Sequence, residues 1–381
     1  MFLSQSGNVS SKIWKVARRR IVIITNQNNF FQARLLIDDF RDPYKHFAVE
    51  EGILRQVADG VSPATLRIRR FYPSVWIGVN QYLEEDVDLA YCQREQIPIV
   101  RRPNPGGAVY QDEGSFCYSF FFRTKSFLQH LGIKDTKKLY SLFGRVIIET
   151  IGTFGLKADY SGVNDVTINN RKVYGSAQLE LNDAFVHSGT FLVKTNIDRL
   201  ANTLRPSKLK FIDKEFTNVK DRVINFSDAL QRDISIEDVY HVLIQKMAEI
   251  LRINFSPPTK ELLLEEEKLM EILYKTKYAT AEWNYREKPK LEKTVSMKTK
   301  SGIITLSVTL DSAIIKEMVL SGDFLFAKKK EQDELIEQLI GQTITTALKK
   351  ISVSSLSEEV KRALTILFTE VKGDECCQGK K

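Results

Sequence analysis

Residues 164–178 read NDVTINNRKVYGSAQ, and this stretch carries the clearest structural signal in the chain. An Asn-Asn pair separates the short run Asp165 to Ile168 from a second run that begins at Lys172. Because asparagine tolerates the left-handed backbone of a two-residue hairpin turn, the stretch predicts two antiparallel strands. Such a hairpin can place a carboxylate that holds Mg²⁺ near a lysine that faces phosphate. A solvated hairpin tip without a ligand fits the same residues.

Strands and helices surround this hairpin. A further strand is predicted over residues 186–194, and residues 107–110 with 116–122 read as a second hairpin. Apolar residues at helical spacing predict helices over residues 45–59, 136–154 and 235–253. After Pro257-Pro258 the pattern changes to one helix, three strand-like stretches within 290–326, and helices over 328–368. The sequence therefore predicts an α+β protein with mixed or antiparallel sheets and a second, smaller α+β unit.

The overall composition is that of a globular protein. The chain has 381 residues, of which 43% are hydrophobic and 27% are charged, and this excludes a wholly disordered or fibrous chain. No apolar run approaches the roughly 18 to 20 residues that cross a bilayer, so no membrane association is expected. The cysteines form no CxxC pair and the four histidines are scattered, so the sequence predicts neither a disulfide framework nor a zinc site.

The net charge of +8 is concentrated at the start of the chain. Six of the surplus cations precede the first acidic residue, Asp38, and they are Lys12, Lys15, Arg18, Arg19, Arg20 and Arg34. An acid-free, serine-containing, Arg-rich start is typical of a transit peptide and also of a plain basic extension. The remainder is close to neutral, which argues against a basic adaptor or nucleic-acid-binding protein.

A second stretch, residues 101–112, reads RRPNPGGAVYQD. A glycine pair between two strands lets backbone N–H groups approach an anionic ligand, and the neighbouring arginines can pair with phosphate or carboxylate. The stretch is neither a P-loop nor a dinucleotide-binding fingerprint, since it lacks both glycine patterns. A tight turn without a ligand is the alternative interpretation.

Taken in order, these stretches resemble lipoate-protein ligases, within the wider group of biotin and lipoate ligases and lipoyl or octanoyl transferases. Seven further stretches carry the resemblance: residues 34–38, 42–51, 77–81, 187–190, 219–225, 282–285 and 322–324. The resemblance implies a basic N-terminal extension (1–30), a catalytic domain (31–256) and a C-terminal accessory domain (257–381). The chain has Asn104-Pro105-Gly106-Gly107 where the family usually has Ser-Gly-Gly-Gly, and Gln111 where it has His. Because proline has no backbone N–H, Pro105 leaves this loop with one donor fewer for a ligand.

The resemblance also implies an activity. Lipoate and Mg·ATP form lipoyl-AMP, and the lipoyl group is then transferred to one lysine of a lipoyl domain, on E2 subunits or the glycine-cleavage H protein. Lys172 is the implied catalytic residue, and Asp165 is the implied Mg²⁺ ligand. The implied ATP-binding residues are Arg102, Gly107, Ala108, Val109, Tyr110, Asn164, Lys172 and Ala177. The implied lipoate-binding residues are Lys172, Gly106, Gly107, Trp76, Val79, His187 and Gly189. For Trp76 and Val79, plain core packing is the alternative.

Other activities share this pattern. A lipoyl or octanoyl transferase would use preformed acyl-AMP or an acyl-carrier donor, but the large second domain, which the resemblance links to adenylation, favours the ligase. A cysteine-dependent octanoyltransferase would need Cys117, whose setting among aromatic residues reads as an ordinary strand position. We expect a monomer in the cytoplasm, with the mitochondrial matrix as the alternative that the Arg-rich start suggests.

Overall fold

The computed structural model describes residues 30–38, 40–207, 209, 218–325, 329–354 and 356–378. Its strands are β1 (Phe31–Ile37), β2 (Thr65–Arg69), β3 (Ser74–Ile77), β4 (Ile99–Arg101), β5 (Val109–Gln111), β6 (Ser115–Arg123), β7 (Asp159–Ser161), β8 (Asp165–Ile168), β9 (Arg171–Leu181), β10 (Ala184–Leu192), β11 (Ile253–Phe255), β12 (Lys293–Thr299), β13 (Gly302–Asp311) and β14 (Ile314–Gly322). Its α-helices are α1 (Pro43–Ala58), α2 (Leu83–Asp86), α3 (Leu89–Arg94), α4 (Thr124–Leu131), α5 (Lys137–Thr153), α6 (Ile197–Thr203), α7 (Val219–Arg222), α8 (Phe226–Leu230), α9 (Ile236–Leu251), α10 (Leu264–Leu273), α11 (Ala281–Asn284), α12 (Lys329–Leu339), α13 (Ile344–Val353) and α14 (Glu358–Gln378). The basic arm up to residue 29 lies outside the described residues.

An eight-stranded mixed sheet forms the centre of the protein, in the order β11-β1-β2-β6-β10-β9-β8-β7. Strand β1 pairs in parallel with both β11 and β2, whereas the pairs from β2 to β7 are antiparallel. Two three-stranded sheets, β4-β3-β5 and β12-β13-β14, complete the sheet structure of the described residues. The predicted α+β class with mixed and antiparallel sheets is confirmed.

The central sheet is buried on both faces, and strand β6 shows how. Phe116, Tyr118 and Phe120 point into a core formed with α5 and α9, whereas Cys117 and Phe121 point into a second core formed with α1 and α10. Because successive side chains of a strand alternate between faces, a strand enclosed on both sides must be apolar almost throughout. Among the described residues, no helix is both long and apolar enough to cross a membrane.

The predicted hairpin around the two asparagines is confirmed. Asn169 and Asn170 have φ values of 49° and 61°, and they connect β8 to β9. The second predicted hairpin is wrong, because β5 pairs with β3 rather than with β6. The Asp112 carboxylate accepts hydrogen bonds from the backbone N–H groups of Gly114 (3.0 Å) and Asn196 (2.8 Å). This fixed turn directs the two strands into different sheets.

An ion pair with almost no solvent exposure connects β2 to the end of the neighbouring parallel strand β1. Arg67 of β2 binds Asp38, and the exposed fractions of the two side chains are 0% and 1%. Burial alone would raise the pKa of Asp38, but the guanidinium groups of Arg67 and Arg41 outweigh it and lower this pKa. Removing one partner of such a pair is costly, because a buried charge is then left uncompensated.

The C-terminal part has its own hydrophobic core. Residues of β13 and β14 pack on α12, α13 and α14, with Leu306, Leu339 and Phe368 fully buried among them. Helix α10 lies within the range predicted for the C-terminal accessory domain (257–381), and it packs on α1 of the first part. The two parts also meet where the N–H of Gly322 donates to the carbonyl of Asn80 over 2.9 Å.

Candidate functional site

A cavity of about 380 Å³ lies between the central sheet, α1, the 102–110 loop and the β12–β13 turn. This volume is within the range of small-molecule sites. Eleven of the residues implied by the resemblance line it: Trp76, Arg102, Gly106, Gly107, Ala108, Val109, Tyr110, Asn164, Asp165, Lys172 and Ala177. The fold thus gathers residues from separate strands and one loop around a single space.

Lys172 and Asp165 form an ion pair in the wall of this cavity. The Nζ atom of Lys172 lies 2.7 Å from Oδ1 of Asp165, and the two side chains are 27% and 18% exposed. Asp165 stands opposite Gly175 in the β8–β9 pairing, and the register shifts between Val166 and Thr167. A β-carbon on Gly175 would lie 2.4 Å from Nζ of Lys172. The glycine therefore provides the space that the lysine occupies.

Two segments brace strand β9 on either side of this pair. The Nδ2 atom of Asn164 donates to the carbonyl of Ser176 over 2.6 Å, and the carbonyl of Asn164 accepts the N–H of Ser176 over 3.0 Å. The N–H of Ile224 donates to the carbonyl of Lys172 over 2.9 Å. The backbone on both sides of the lysine is thereby fixed.

The glycine-containing loop is held by Arg102. Its guanidinium donates to the carbonyls of Trp76 (3.0 Å), Pro105 (3.2 Å) and Gly107 (2.8 Å). Burial lowers the pKa of Arg102 to about 10, so the group stays charged at neutral pH. Gly106 has a φ of 103°, which favours glycine. Arg102 therefore shapes the loop while also lining the cavity.

The neighbouring arginine has a different position. Arg101 is fully buried and does not line the cavity. Its side chain donates to the carbonyls of Gly78 (3.1 Å), Gln81 (2.5 Å) and Trp283 (2.8 Å). It therefore joins the small β4-β3-β5 sheet to helix α11.

Sequence reasoning missed a polar group that also lines the cavity. Glu50 of α1 pairs with Arg69 of β2 and accepts hydrogen bonds from Ser119 (3.1 Å) and Ser188 (2.9 Å). An Nη atom of Arg69 lies 3.5 Å from Sγ of Cys117. We call Glu50, Arg69, Cys117 and Ser188 the polar floor. No local motif connects these residues, since each comes from a different element.

Three residues implied by the resemblance do not line the cavity: Val79, His187 and Gly189. The His187 ring is fully buried and stacks on Phe143 with 4.0 Å between the ring centroids. A β-carbon on Gly189 would lie 2.1 Å from the hydroxyl of Tyr174, so the absence of a side chain at Gly189 leaves room for the Tyr174 ring. The side chain of Val79 is 6% exposed.

We expect His187 to make the free energy of unfolding depend on pH. Burial lowers the pKa of this imidazole to about 3. The unfolded chain takes up the proton near pH 6.5, so the contribution of His187 to the stability should fall as the pH decreases from about 6.5 towards 3, by about 2 kcal/mol at pH 5. Urea unfolding at pH 7 and pH 5 measures this loss. It should be smaller in His187→Asn and unchanged in a His241→Asn control, and equal losses in all three proteins would contradict the assignment.

The residues of this site lie in a segment that matches a known protein family. The model of the lipoyl protein ligase A/B catalytic domain matches residues 42–248, more than half of the chain. The chain belongs to this family. The resemblance inferred from the motifs is thus confirmed, and the matched range contains both Lys172 and the 102–110 loop.

Two curated relatives align with this chain over most of their own length. Lipoate-protein ligase LplJ of Bacillus subtilis is 26% identical over 292 residues, covering 76% of this chain and 85% of that protein. Lipoate-protein ligase A subunit 1 of Thermoplasma acidophilum is 31% identical over 260 residues, covering 66% of this chain and 95% of that protein. The similarity therefore covers most of the length of each relative.

Solved structures agree with the fold. The crystal structure of lipoate-protein ligase A bound with ATP is 27% identical, with a TM-score of 0.58, and covers 67% of this chain and 99% of that chain. The structure of Plasmodium falciparum LipL1 in complex with lipoate has a TM-score of 0.67 and covers 87% of this chain and 99% of that one. At 20% identity, the second match supports the fold alone.

Proposed function

We propose that this protein is an ATP-dependent lipoate-protein ligase. The observation that carries the proposal is the Lys172–Asp165 pair beside the glycine-containing loop, in a cavity of small-molecule size. Family relatives bear the name lipoate-protein ligase, and one was solved with ATP and another with lipoic acid. The substrates proposed here are accordingly lipoate and ATP.

The first step joins a carboxylate to a phosphate, two anions that repel one another. An oxygen of the lipoate carboxylate attacks the α-phosphorus of ATP, and the bond from that phosphorus to the β-phosphate oxygen breaks, so that pyrophosphate leaves with the electron pair. The ammonium of Lys172 is suited to lie between the two reacting anions and to stabilise the charge of the transition state. The Gly107–Tyr110 backbone would hold the nucleotide beside it.

The proposed reaction uses Mg²⁺, and Asp165 is the residue proposed to bind it. Within the described residues, no group of three or more His, Cys, Asp or Glu side chains is placed to hold a metal. Mg²⁺ at nucleotide sites is usually bound by one or two carboxylates, phosphates and water, so one aspartate fits a metal that arrives with ATP. When bound, the ion would neutralise phosphate charge.

The second step transfers the acyl group. The neutral ε-amine of an acceptor lysine attacks the acyl carbon, the bond to the AMP oxygen breaks, and AMP and one proton are released with the new amide. We propose lipoyl domains of E2 subunits and the glycine-cleavage H protein as acceptors. A structural relative comes from the lipoylation system of T. acidophilum, which is described as a bi-partite lipoate protein ligase and its E2 lipoyl domain, and this supports the choice.

One assay tests the proposed function. The full chain is incubated with lipoate, Mg·ATP and an apo lipoyl domain, and pyrophosphate release and the mass of the lipoyl domain are followed. We expect both products to depend on ATP. Lipoylation from added lipoyl-AMP alone, with no pyrophosphate released from lipoate and ATP, would overturn the ligase and indicate a transferase.

A substitution at Gly175 should disturb the lysine without removing it. In Gly175→Ala the new methyl group would lie 2.4 Å from Nζ of Lys172, which is too close for contact, so the ammonium would have to move away. We expect lipoate-dependent pyrophosphate release to fall by roughly 10- to 100-fold, because small displacements of reacting groups are costly. Gly152→Ala is the matched control, since nothing lies within 4 Å of its β-carbon and activity should persist. Equal activity in both variants would contradict the packing argument.

A further inference from the structure

The C-terminal part forms one wall of the cavity. The turn between β12 and β13, together with Asp323 and Leu325, borders the same space as the glycine-containing loop. A β-carbon on Gly106 would lie 3.3 Å from Cδ2 of Leu325, so the two parts are in close contact there. We call residues Thr299 to Gly302 the roof turn.

Hydrogen bonds fix the roof turn on three sides. Within it, Oγ1 of Thr299 donates to the carbonyl of Gly302 over 2.7 Å and accepts the N–H of Ser301 over 3.1 Å. The N–H of Leu325 donates to the carbonyl of Ser301 over 2.9 Å. The Glu359 carboxylate, at the start of α14, accepts both the N–H (3.1 Å) and the hydroxyl (2.9 Å) of Ser301. The backbone beside residue 300 is thereby held in one position.

The side chain presented by this turn is a cation. Lys300 is exposed and also lines the cavity, next to Lys298 on β12. A flexible ammonium on a fixed backbone can reach a charged ligand without moving the turn.

The cavity lining has twice as many cationic as acidic side chains. The cations are Arg69, Arg102, Lys172, Arg222, Lys298 and Lys300, and the acids are Glu50, Asp165 and Asp323. Glu50 is paired with Arg69 within the polar floor, and Asp165 with Lys172. Without the two lysines of the C-terminal part, the excess of positive charge would fall to one. A cavity of this charge suits a ligand with several negative charges.

We propose that Lys300 binds the β- and γ-phosphates of ATP, which leave as pyrophosphate. This inference rests on the proposed ligase function. The ammonium of Lys300 stabilises the negative charge that develops on the β-phosphate oxygen when the bond from that oxygen to the α-phosphorus breaks. Glu359 is a positioning residue, because it acts on the phosphates only through Ser301. The C-terminal part therefore supplies charge to the first step, whereas transfer from lipoyl-AMP, which carries no β- or γ-phosphate, does not use it.

Two half-reactions test this assignment in the full chain. The variants are Lys300→Ala and Glu359→Gln, with Lys316→Ala as the control, since Lys316 is exposed on β14 outside the cavity lining. We expect the KM for ATP in pyrophosphate release to rise about tenfold in Lys300→Ala, equivalent to about 1.4 kcal/mol, and to rise less in Glu359→Gln. Lys300→Arg should restore most of the loss, because it restores the charge. Transfer from lipoyl-AMP should change less than about twofold in each variant.

The outcomes separate the two proposals. If the unsubstituted protein releases no pyrophosphate from lipoate and ATP, the ligase function fails. If it does so and Lys300→Ala has an unchanged KM for ATP, the role of Lys300 fails alone. A loss of equal size in both half-reactions, or a lower unfolding midpoint that accounts for the lost activity, would also overturn the phosphate assignment.

Discussion

Lys172→Ala should abolish lipoyl-adenylate formation, with a loss of about 1000-fold or more in pyrophosphate release. The substitution removes the ammonium that would lie between the carboxylate and the α-phosphate, and a preorganised charge at such a position commonly contributes a factor of this size. The fold should persist, because the Lys172–Asp165 pair is partly exposed and such pairs contribute little to stability. Release of pyrophosphate from lipoate and ATP is the measurement.

The control for this variant is Lys157→Ala, an exposed lysine outside the cavity lining. It should retain full activity, whereas Lys172→Arg, which keeps the charge but changes the shape of the head group, should remain strongly impaired. Normal pyrophosphate release by correctly folded Lys172→Ala would refute the role of Lys172. Circular dichroism and the urea midpoint establish that each variant is folded.

Arg69→Leu should have the largest effect on stability. The guanidinium pairs with Glu50, and the two side chains are 1% and 2% exposed. Without it, a buried carboxylate loses its counter-ion, which costs about 3 to 5 kcal/mol in the free energy of unfolding. The urea midpoint measures the loss.

The double variant Arg69→Leu with Glu50→Gln should recover much of this stability, because the uncompensated charge is removed while the amide oxygen still accepts a hydrogen bond. Arg70→Leu is the matched control, because Arg70 directly follows Arg69 at the end of β2. Arg70 pairs with Glu237 over 2.7 Å at a partly exposed position, so the loss should stay below about 1 kcal/mol. Equal midpoints for Arg69→Leu and Arg70→Leu would show that the pair on the polar floor carries no special weight.

The parts of the fold that depend on local chemistry follow from the sequence. Helix α1 was predicted at 45–59 and is found at Pro43–Ala58, where Asp42 caps the N-terminus by accepting the N–H of Tyr44 over 2.9 Å. The turn at Asn169-Asn170 is equally local. The Lys172–Asp165 pair followed from that turn, since the hairpin brings its two strands together.

Features that depend on distant partners did not follow from the sequence. Strand β5 was assigned to the wrong partner, because its pairing with β3 is fixed by Asp112 and by a contact with Asn196, far along the chain. The polar floor and the roof turn combine residues from α1 through to β13, and no short motif marks such a combination. His187 was placed near lipoate because it lies in a motif, yet its ring packs on the opposite side of the sheet from Cys117.

The parallel pairing of β1 with β11 also sets the timing of folding. The outer neighbour of β1 is β11, which begins at Ile253. Arg34, at the centre of β1, binds Glu266 over 2.6 Å, and these two residues are 232 positions apart in the sequence. At the usual speed of a ribosome, roughly 5 to 20 residues per second, about 10 to 45 s pass between the synthesis of the two strands. Throughout that interval the outer edge of β1 has no partner, and an open edge is the part of a sheet that adheres to other chains. This protein is therefore most vulnerable to aggregation while it is being made.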